Sequence, residues 1–194
     1  MHSLNEIQSW QLLEERFGAV PGLKVGLKAE GYKSLRQQVR YSKVAKGVAV
    51  GTLGFFATAR TPFTNNNEKA NELGSHYAVY HDLIVAIYQL NADFTANTDF
   101  YIALQESEIE IKIASKEYLC RTSIAPFTRN LMSGVTNVVT SIYANVALDM
   151  PRVSIPYEPN QFIEVYIHTG TAVANALKIA VFLCGIEAYR AQAG

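Results

Sequence analysis

Hydrophobic and polar residues alternate along much of this chain, which is the pattern of half-buried β-strands. Between Glu108 and Ile113, glutamate and lysine alternate with three isoleucines, so one face of this segment is predicted to be apolar and the other polar. Clusters rich in proline, glycine, asparagine and threonine separate such runs, and these residues favour turns. The pattern predicts strands within residues 47–60, 77–90, 108–113, 117–123, 154–159, 162–168 and 176–188.

Residues 131–150 fit two patterns at once. Valine and isoleucine recur from Val135 to Val146 at the spacing of one helix face, yet the valine and threonine content favours strands. Periodicity does not arbitrate, so helix and strand both stay open for this segment. The rest of the chain shows seven or eight predicted strands and no alternating helices. This order predicts an all-β antiparallel sandwich or barrel rather than a parallel α/β sheet.

A short amphipathic helix is predicted at the N-terminus. Ser3, followed three residues later by Glu6, is the signature of a capping box that starts a helix. Glutamates interrupt the apolar side of this helix, so we expect it to pack on protein rather than on a membrane surface. The apolar side consists of Ile7, Trp10, Leu13 and Phe17.

A basic segment rich in glycine follows the helix and extends to about Lys46. Glycine at this density favours an extended arm over a helix. We therefore predict two parts of the chain, residues 1–46 as helix and arm and residues 47–194 as a single β-sandwich domain. The arm residues predicted to contact other subunits, or what lies inside their assembly, are Lys24, Lys28, Lys33, Arg36 and Arg40.

Composition and charge narrow the class of protein. The chain has 194 residues, of which 49% are hydrophobic and 18% charged, and this excludes a disordered chain. Its net charge is zero, but residues 19–60 hold eight basic residues and one acidic one, a net +7. Residues 61–120 hold three basic and nine acidic residues, a net −6. Such asymmetry suits contact between copies or a basic surface that faces an anionic partner.

Side chains that carry chemistry are scarce. The sequence contains no phosphate-binding loop and no nucleophile elbow, and His76 and His81 are predicted to lie on opposite strand faces. Glu106, Glu108 and Glu110 are explained by a polar strand face without any acid–base role. We predict no catalytic residue, metal, cofactor or small-molecule substrate. Cys120 and Cys184 are too few and too distant for a disulfide framework, so we expect buried thiols in a reducing compartment.

Several segments resemble one family of viral proteins. Residues 51–73 contain Phe55-Phe56 and the polar cluster Thr64-Asn65-Asn66, and a long apolar run follows at 77–90. This order is similar to the first strand, the loop and the next strand of the small jelly-roll major capsid proteins of tailless icosahedral bacterial viruses. Residues 108–119 and 156–190, with Gly185 near the end, are similar to later strands of that family. The resemblance covers roughly residues 47–190.

The resemblance implies an eight-stranded antiparallel jelly-roll sandwich with a short N-terminal helix and an extended arm. It implies a virion protein made in the host cytoplasm, whose partners are copies of itself and other virion proteins. The arm would lie near the viral genome or an internal membrane. Deletion of residues 1–46 is then expected to leave a folded domain that does not assemble.

Three alternatives remain open at this stage. The chain would fit the vertex (penton) protein of the same virion as well as its main shell subunit. It would also fit a carbohydrate-binding β-sandwich module that uses surface tyrosines and Trp10. A sandwich-fold enzyme with a site built from Glu106, Glu108 and distant histidines is the third.

Overall fold

Two β-sheets and one helix make up the part of the chain that the computed structural model describes, namely residues 6–17, 31–47, 49–89, 106–113, 117–124, 127–130, 154–172 and 177–190. Both sheets are antiparallel apart from one three-residue parallel pairing. The helix is α1 (Glu6–Phe17). The strands are β1 (Tyr32–Lys46), β2 (Gly51–Phe55), β3 (Tyr77–Gln89), β4 (Glu108–Ile113), β5 (Glu117–Ser123), β6 (Thr128–Asn130), β7 (Ile155–Tyr157), β8 (Ile163–Thr169) and β9 (Leu177–Arg190).

The first sheet has the strand order β1-β9-β3, and β3 carries two short strands on its far edge. The strand β9 lies in the centre and pairs with β1 from Tyr32↔Arg190 to Lys46↔Leu177. On its other side β9 pairs with β3, with an irregularity in register between Tyr80 and Asp82. The strand β7 pairs antiparallel with the beginning of β3, and β6 pairs parallel with its end.

The second sheet has the strand order β2-β8-β4-β5. The register places Ile109 of β4 opposite Ile167 of β8, and Gly54 of β2 opposite Tyr166 of β8. The apolar residues at alternate positions of β4 and β8 face the core, which is the pattern expected of strands with one face on a core. The fully buried ones are Ile109, Ile111, Ile163, Val165 and Ile167. The other residues of these strands form the outer face of this sheet.

Side chains from both sheets interdigitate in one apolar core, so the fold is a β-sandwich. The first sheet contributes Leu83 and Leu183, and the second contributes Ile111 and Val165, none of them more than 1% exposed. The loop after β2 adds Phe56, which is also fully buried. The all-β sandwich predicted from the alternating pattern is confirmed.

Most predicted strands are confirmed at close to their predicted positions. The runs predicted at 77–90, 108–113, 117–123, 162–168 and 176–188 correspond to β3, β4, β5, β8 and β9. The N-terminal helix is confirmed as α1, while its capping residue Ser3 lies outside the described residues. Residues 131–150, left open between helix and strand, also lie outside them.

The prediction of an extended arm up to Lys46 is wrong for residues 32–46, because these residues form β1. The glycine-rich character of the segment ends at Gly31, whose φ of +90° suits a turn before a strand. From Tyr32 to Lys46 there is no glycine, and tyrosine, valine and leucine favour a strand. Because β1 carries many positive charges, the sequence pattern assigned it to the basic segment that precedes it.

Replacing Gly185 with alanine is expected to lower the free energy of unfolding by about 3 kcal/mol. A Cβ atom at Gly185 would lie 2.6 Å from the Cα of Tyr80 and would also clash with the carbonyl oxygen of Val79, and backbone atoms in a paired strand have little room to move. The matched control is Gly51→Ala, because a Cβ atom there meets nothing within 4 Å. Urea denaturation measures both; an equal effect of the two changes would contradict this expectation.

Candidate functional site

The helix α1 lies on the outer face of the first sheet. In β3 the neighbours Val79 and Tyr80 point in opposite directions, Tyr80 into the sandwich and Val79 towards the helix. Leu13 of the helix is fully buried against this face, and Phe17 lies 4.9 Å from Tyr77, ring centre to ring centre. The residues that form this second apolar cluster are Trp10, Leu13, Phe17, Tyr32, Val79, Ile186 and Ala188.

Three of the four predicted apolar residues of the helix are therefore buried within the chain itself. Trp10, Leu13 and Phe17 are at most 5% exposed, whereas Ile7 is 71% exposed one turn earlier. Because Trp10 is covered by its own sheet, it offers no ring for stacking on a sugar. Their prediction as contacts with other subunits is therefore wrong for Trp10, Leu13 and Phe17, because their own sheet covers them, and it stays a prediction for Ile7.

The basic residues predicted for the arm lie in different surroundings. Lys24 and Lys28 lie outside the described residues. Lys33 and Arg36 are exposed on β1, and the guanidinium carbon of Arg36 lies 5.1 Å from the centre of the Tyr189 ring. Arg40 is only 8% exposed, so its prediction as a surface contact is wrong. It points from β1 into one end of the sandwich.

Arg40 forms a buried ion pair with Glu187 of β9. The Nε of Arg40 donates to one carboxylate oxygen at 2.6 Å and Nη2 donates to the other at 2.8 Å, which is a bidentate pair. The remaining Nη1 donates to the carbonyl oxygen of Asn66 at 2.9 Å. The pair thus connects two neighbouring strands with the loop after β2.

Three further side chains complete this buried polar cluster. The hydroxyl groups of Tyr80 and Tyr189 both donate to Glu187, the former at 2.8 Å. The Nε2 of His76 lies 3.2 Å from the hydroxyl oxygen of Tyr80 and 3.4 Å from the carboxylate of Glu187. The cluster, defined as Arg40, His76, Tyr80, Glu187 and Tyr189, therefore surrounds one carboxylate with three donating side chains and the ring of His76.

The charges in this cluster stabilise one another. Burial by itself would raise the pKa of Glu187, but its hydrogen bonds to His76 and Arg40 and the charge of Arg40 hold that pKa far below its usual range. Burial likewise opposes the charge of Arg40, and the pairing with Glu187 outweighs it and raises the pKa. Burial is also the main reason that the pKa of Tyr80 is raised. Arg40 and Glu187 therefore form an ion pair at neutral pH within this cluster.

Sequence reasoning did not find this cluster, although one signal was present. Glu187 is the sole charged residue in the otherwise apolar run 179–188. A carboxylate in a buried strand requires a partner, because an unpaired buried charge is very costly. The sequence does not say that this partner is Arg40, 147 positions away.

A second polar group lies on the outer face of the second sheet. The Nε2 of His168 lies 2.7 Å from the carboxylate of Glu110, and its Nδ1 lies 2.9 Å from the hydroxyl of Thr52. Lys112 contacts the other oxygen of Glu110 at 3.1 Å. The hydrogen bond from His168 is the main reason that the pKa of Glu110 is lowered. Glu110 is only 4% exposed, so this group covers the carboxylate almost completely.

The three glutamates before and within β4 have separate partners. Glu110 belongs to the group just described, Glu108 pairs with Arg121 at 2.9 Å, and Glu106 accepts a hydrogen bond from Thr171. A pair of carboxylates facing one substrate is the arrangement that glycoside hydrolysis requires. Here each of the three glutamates instead pairs with a different side chain at a different place along the sheet, so their described contacts do not form such a pair of carboxylates.

Cys184 is buried but Cys120 is only half-buried, so the prediction of two buried thiols is confirmed for Cys184 alone. Cys120 and Cys184 are both free thiols, and burial raises the pKa of Cys184 to about 11. Over the described ranges, no three histidine, cysteine, aspartate or glutamate side chains are grouped as metal ligands. No helix in the same part of the chain is long and apolar enough to cross a membrane.

No protein-family model matches this sequence, and no curated protein matches it.

Proposed function

We propose that this chain is a viral capsid subunit with jelly-roll topology whose copies assemble into an icosahedral shell. The observation that carries the proposal is the pairing order of the strands. With the short β6 left aside, β1 pairs with β9, β2 with β8, β3 with β7 and β4 with β5. The first strand thus pairs with the last, the second with the next to last, and so on inwards, as in one long double-stranded ribbon.

The two sheets follow when this ribbon is rolled up. Rolling brings β3 beside β9 and β4 beside β8, and both of these pairings are present. The resulting sheets have the orders β1-β9-β3-β7 and β2-β8-β4-β5. Eight strands in two Greek keys with this order are the arrangement of a jelly roll, which supports the finer fold assignment.

The step from fold to function rests on analogy with the proteins that use this fold. Jelly rolls occur in viral capsid proteins, in lectins and in cupins. The burial of Trp10 removes one of the aromatic side chains on which a carbohydrate-binding interpretation depended, the surface tyrosines being the others. The opposite net charges of residues 19–60 and 61–120 favour contact between copies, and so support a subunit of a homo-oligomeric shell.

The proposed partners are other copies of this chain and other virion proteins, in a virion assembled in the host cytoplasm. On β1, Lys33 and Arg36 are exposed basic residues that would face an anionic partner. We propose that they and the lysines of residues 18–30 approach the viral genome or an internal membrane. A contact with nucleic acid would then weaken steeply with added salt.

Assembly of the purified full-length chain tests this proposal. Light scattering at rising protein concentration and falling salt should show discrete oligomers or shells, because low salt strengthens attraction between oppositely charged surfaces. Electron microscopy of the large species should show closed particles of uniform size. A strict monomer at every concentration and salt level, alone and with added nucleic acid or anionic vesicles, would contradict the proposal.

A further inference from the structure

Phe63 is the most exposed large hydrophobic side chain among the described residues. It lies in the loop between β2 and β3 and is 87% exposed. Its backbone φ of 64° falls in the left-handed region, which is unfavourable for a bulky side chain. Backbone hydrogen bonds from Thr64 and Asn65 to the carbonyl oxygen of Thr61 hold the turn that contains Phe63. Such a residue is typical of a contact that forms only with a partner.

The loop holds Phe63 in place through asparagine side chains. Asn65 accepts a hydrogen bond from the backbone N–H of Thr61 at 3.0 Å and donates to the hydroxyl of Thr58 at 2.9 Å. Asn66 accepts from the N–H of Tyr41 at 2.7 Å, which ties the loop to β1. Because the loop is fixed before any contact forms, little conformational entropy is lost when Phe63 binds.

An open pocket of about 320 Å³ lies beside the same loop. This volume is at the lower end of those that hold a small ligand, and one aromatic ring fits it. Three of its polar side chains are already engaged. Ser42 Oγ accepts from the N–H of Phe56 at 3.0 Å, Asn65 is bonded as described, and the ammonium of Lys43 lies 5.6 Å from the centre of the Tyr41 ring. The pocket therefore suits an apolar occupant. Its wall consists of Ser42, Lys43, Val44, Ala45, Gly54, Ala57, Thr58, Thr64 and Asn65.

The charges around the loop are self-complementary. Arg60 and Glu68 are exposed, and neither has an ion-pair partner among the residues that the structure describes, whereas Lys69 pairs with Glu72 at 3.0 Å. The loop also lies where the basic segment 19–60 meets the acidic segment 61–120. A loop that carries one exposed cation and one exposed anion, neither paired among the described residues, is able to pair with a rotated copy of itself.

We propose that Phe63 anchors a two-fold contact between two copies of this chain, with each ring inserted into the other copy's pocket. Thr64 follows Phe63 and lines the pocket, so anchor and pocket are neighbours on one patch and a single two-fold contact occupies both. In this contact Arg60 of each copy faces Glu68 of the other. The inference rests on the proposed self-assembly and identifies one of its interfaces.

Sedimentation equilibrium of full-length variants tests this contact. Phe63→Ala should weaken the dimer about 30-fold or more, because anchor residues dominate such interfaces. Ala57→Leu, which fills the pocket and keeps Phe63, should weaken it as well. The control is Phe162→Ala, since Phe162 is 47% exposed but does not line the pocket. Circular dichroism and urea denaturation establish that all variants are folded.

Charge reversal identifies the partner surface. Arg60→Glu and Glu68→Arg should each weaken the dimer, and the double variant should restore it, because both cross-contacts then regain opposite charges. Wild-type assembly that persists unchanged in Phe63→Ala would overturn this inference and leave the proposed function standing. A wild-type chain that never associates would overturn both.

Discussion

Replacing Glu187 with glutamine is expected to lower the free energy of unfolding by about 3–5 kcal/mol. The change leaves the guanidinium of Arg40 buried without a counter-charge, and it weakens the acceptor of the Tyr80 and Tyr189 hydroxyl groups. Glu187 is completely buried, so water does not replace the lost carboxylate oxygen. Urea denaturation at pH 7 measures the loss.

The matched control for this change is Glu108→Gln. Glu108 also pairs with an arginine, Arg121, at the same kind of distance, but both side chains are about half exposed. Exposed pairs of this kind contribute less than about 1 kcal/mol. If the two substitutions lowered the free energy of unfolding equally, burial would not explain the contribution of the Arg40–Glu187 pair to stability.

The same pair makes stability depend on pH in the acid range. The fold holds the pKa of Glu187 well below its ordinary value of 4.5, so the native state favours the ionised form more than the unfolded state does. This contribution is fully present above pH 4.5 and is lost as the pH falls below it. Wild type should therefore lose more stability than Glu187→Gln between pH 7 and pH 3. Parallel curves for the two proteins would contradict this assignment.

Removing residues 1–46 is expected to prevent folding altogether. The deletion takes away β1, which pairs with the central strand β9 along its whole length, and with it Arg40. Glu187 would remain as an unpaired buried charge, and one side of β9 would lose its hydrogen-bonding partner. The truncated chain should show no cooperative unfolding transition in urea. This replaces the sequence-based expectation that the domain would fold without its first 46 residues.

A shorter deletion separates the helix from the strand. Removing residues 1–17 takes away only α1 from the described structure and keeps β1 in place. We expect a folded sandwich that is less stable by roughly 3 kcal/mol or more, because Tyr32, Val79 and Ile186 lose their apolar cover. It should also bind a hydrophobic dye more strongly than wild type. For the longer deletion, of residues 1–46, a cooperative unfolding transition in urea would contradict the expectation above and show that β1 is dispensable for folding.

The strands were predictable where one face is apolar and the other polar. In β4 and β8 a period of two places isoleucine and valine on the core and charged residues outside, and this period is visible in the sequence alone. The strand β1 was missed because its exposed charges hide the pattern. Only Tyr32, Arg40, Ser42 and Lys46 are buried in it, and three of these four are polar.

The candidate sites were less predictable than the strands. The helix face with Trp10, Leu13 and Phe17 was visible, because a helical period is a local property. Its place on the outer face of the sheet was not, and neither was the exposure of Phe63. That exposure depends on a loop conformation set by backbone N–H groups that donate to Asn65 and Asn66. A local pattern predicts which residues are apolar, but it does not predict which other residues pack against them.

The sequence by itself determined the class of fold, the helix and most strand positions, because short-range periodicity and turn residues act within a few positions. Only the tertiary structure decided which strands pair, that Arg40 meets Glu187 across 147 positions, and that β1 belongs to the sandwich. These contacts join distant parts of the chain. Which distant residues meet depends on how the whole chain folds and where its charges are buried, and a pattern within a few positions does not contain that information.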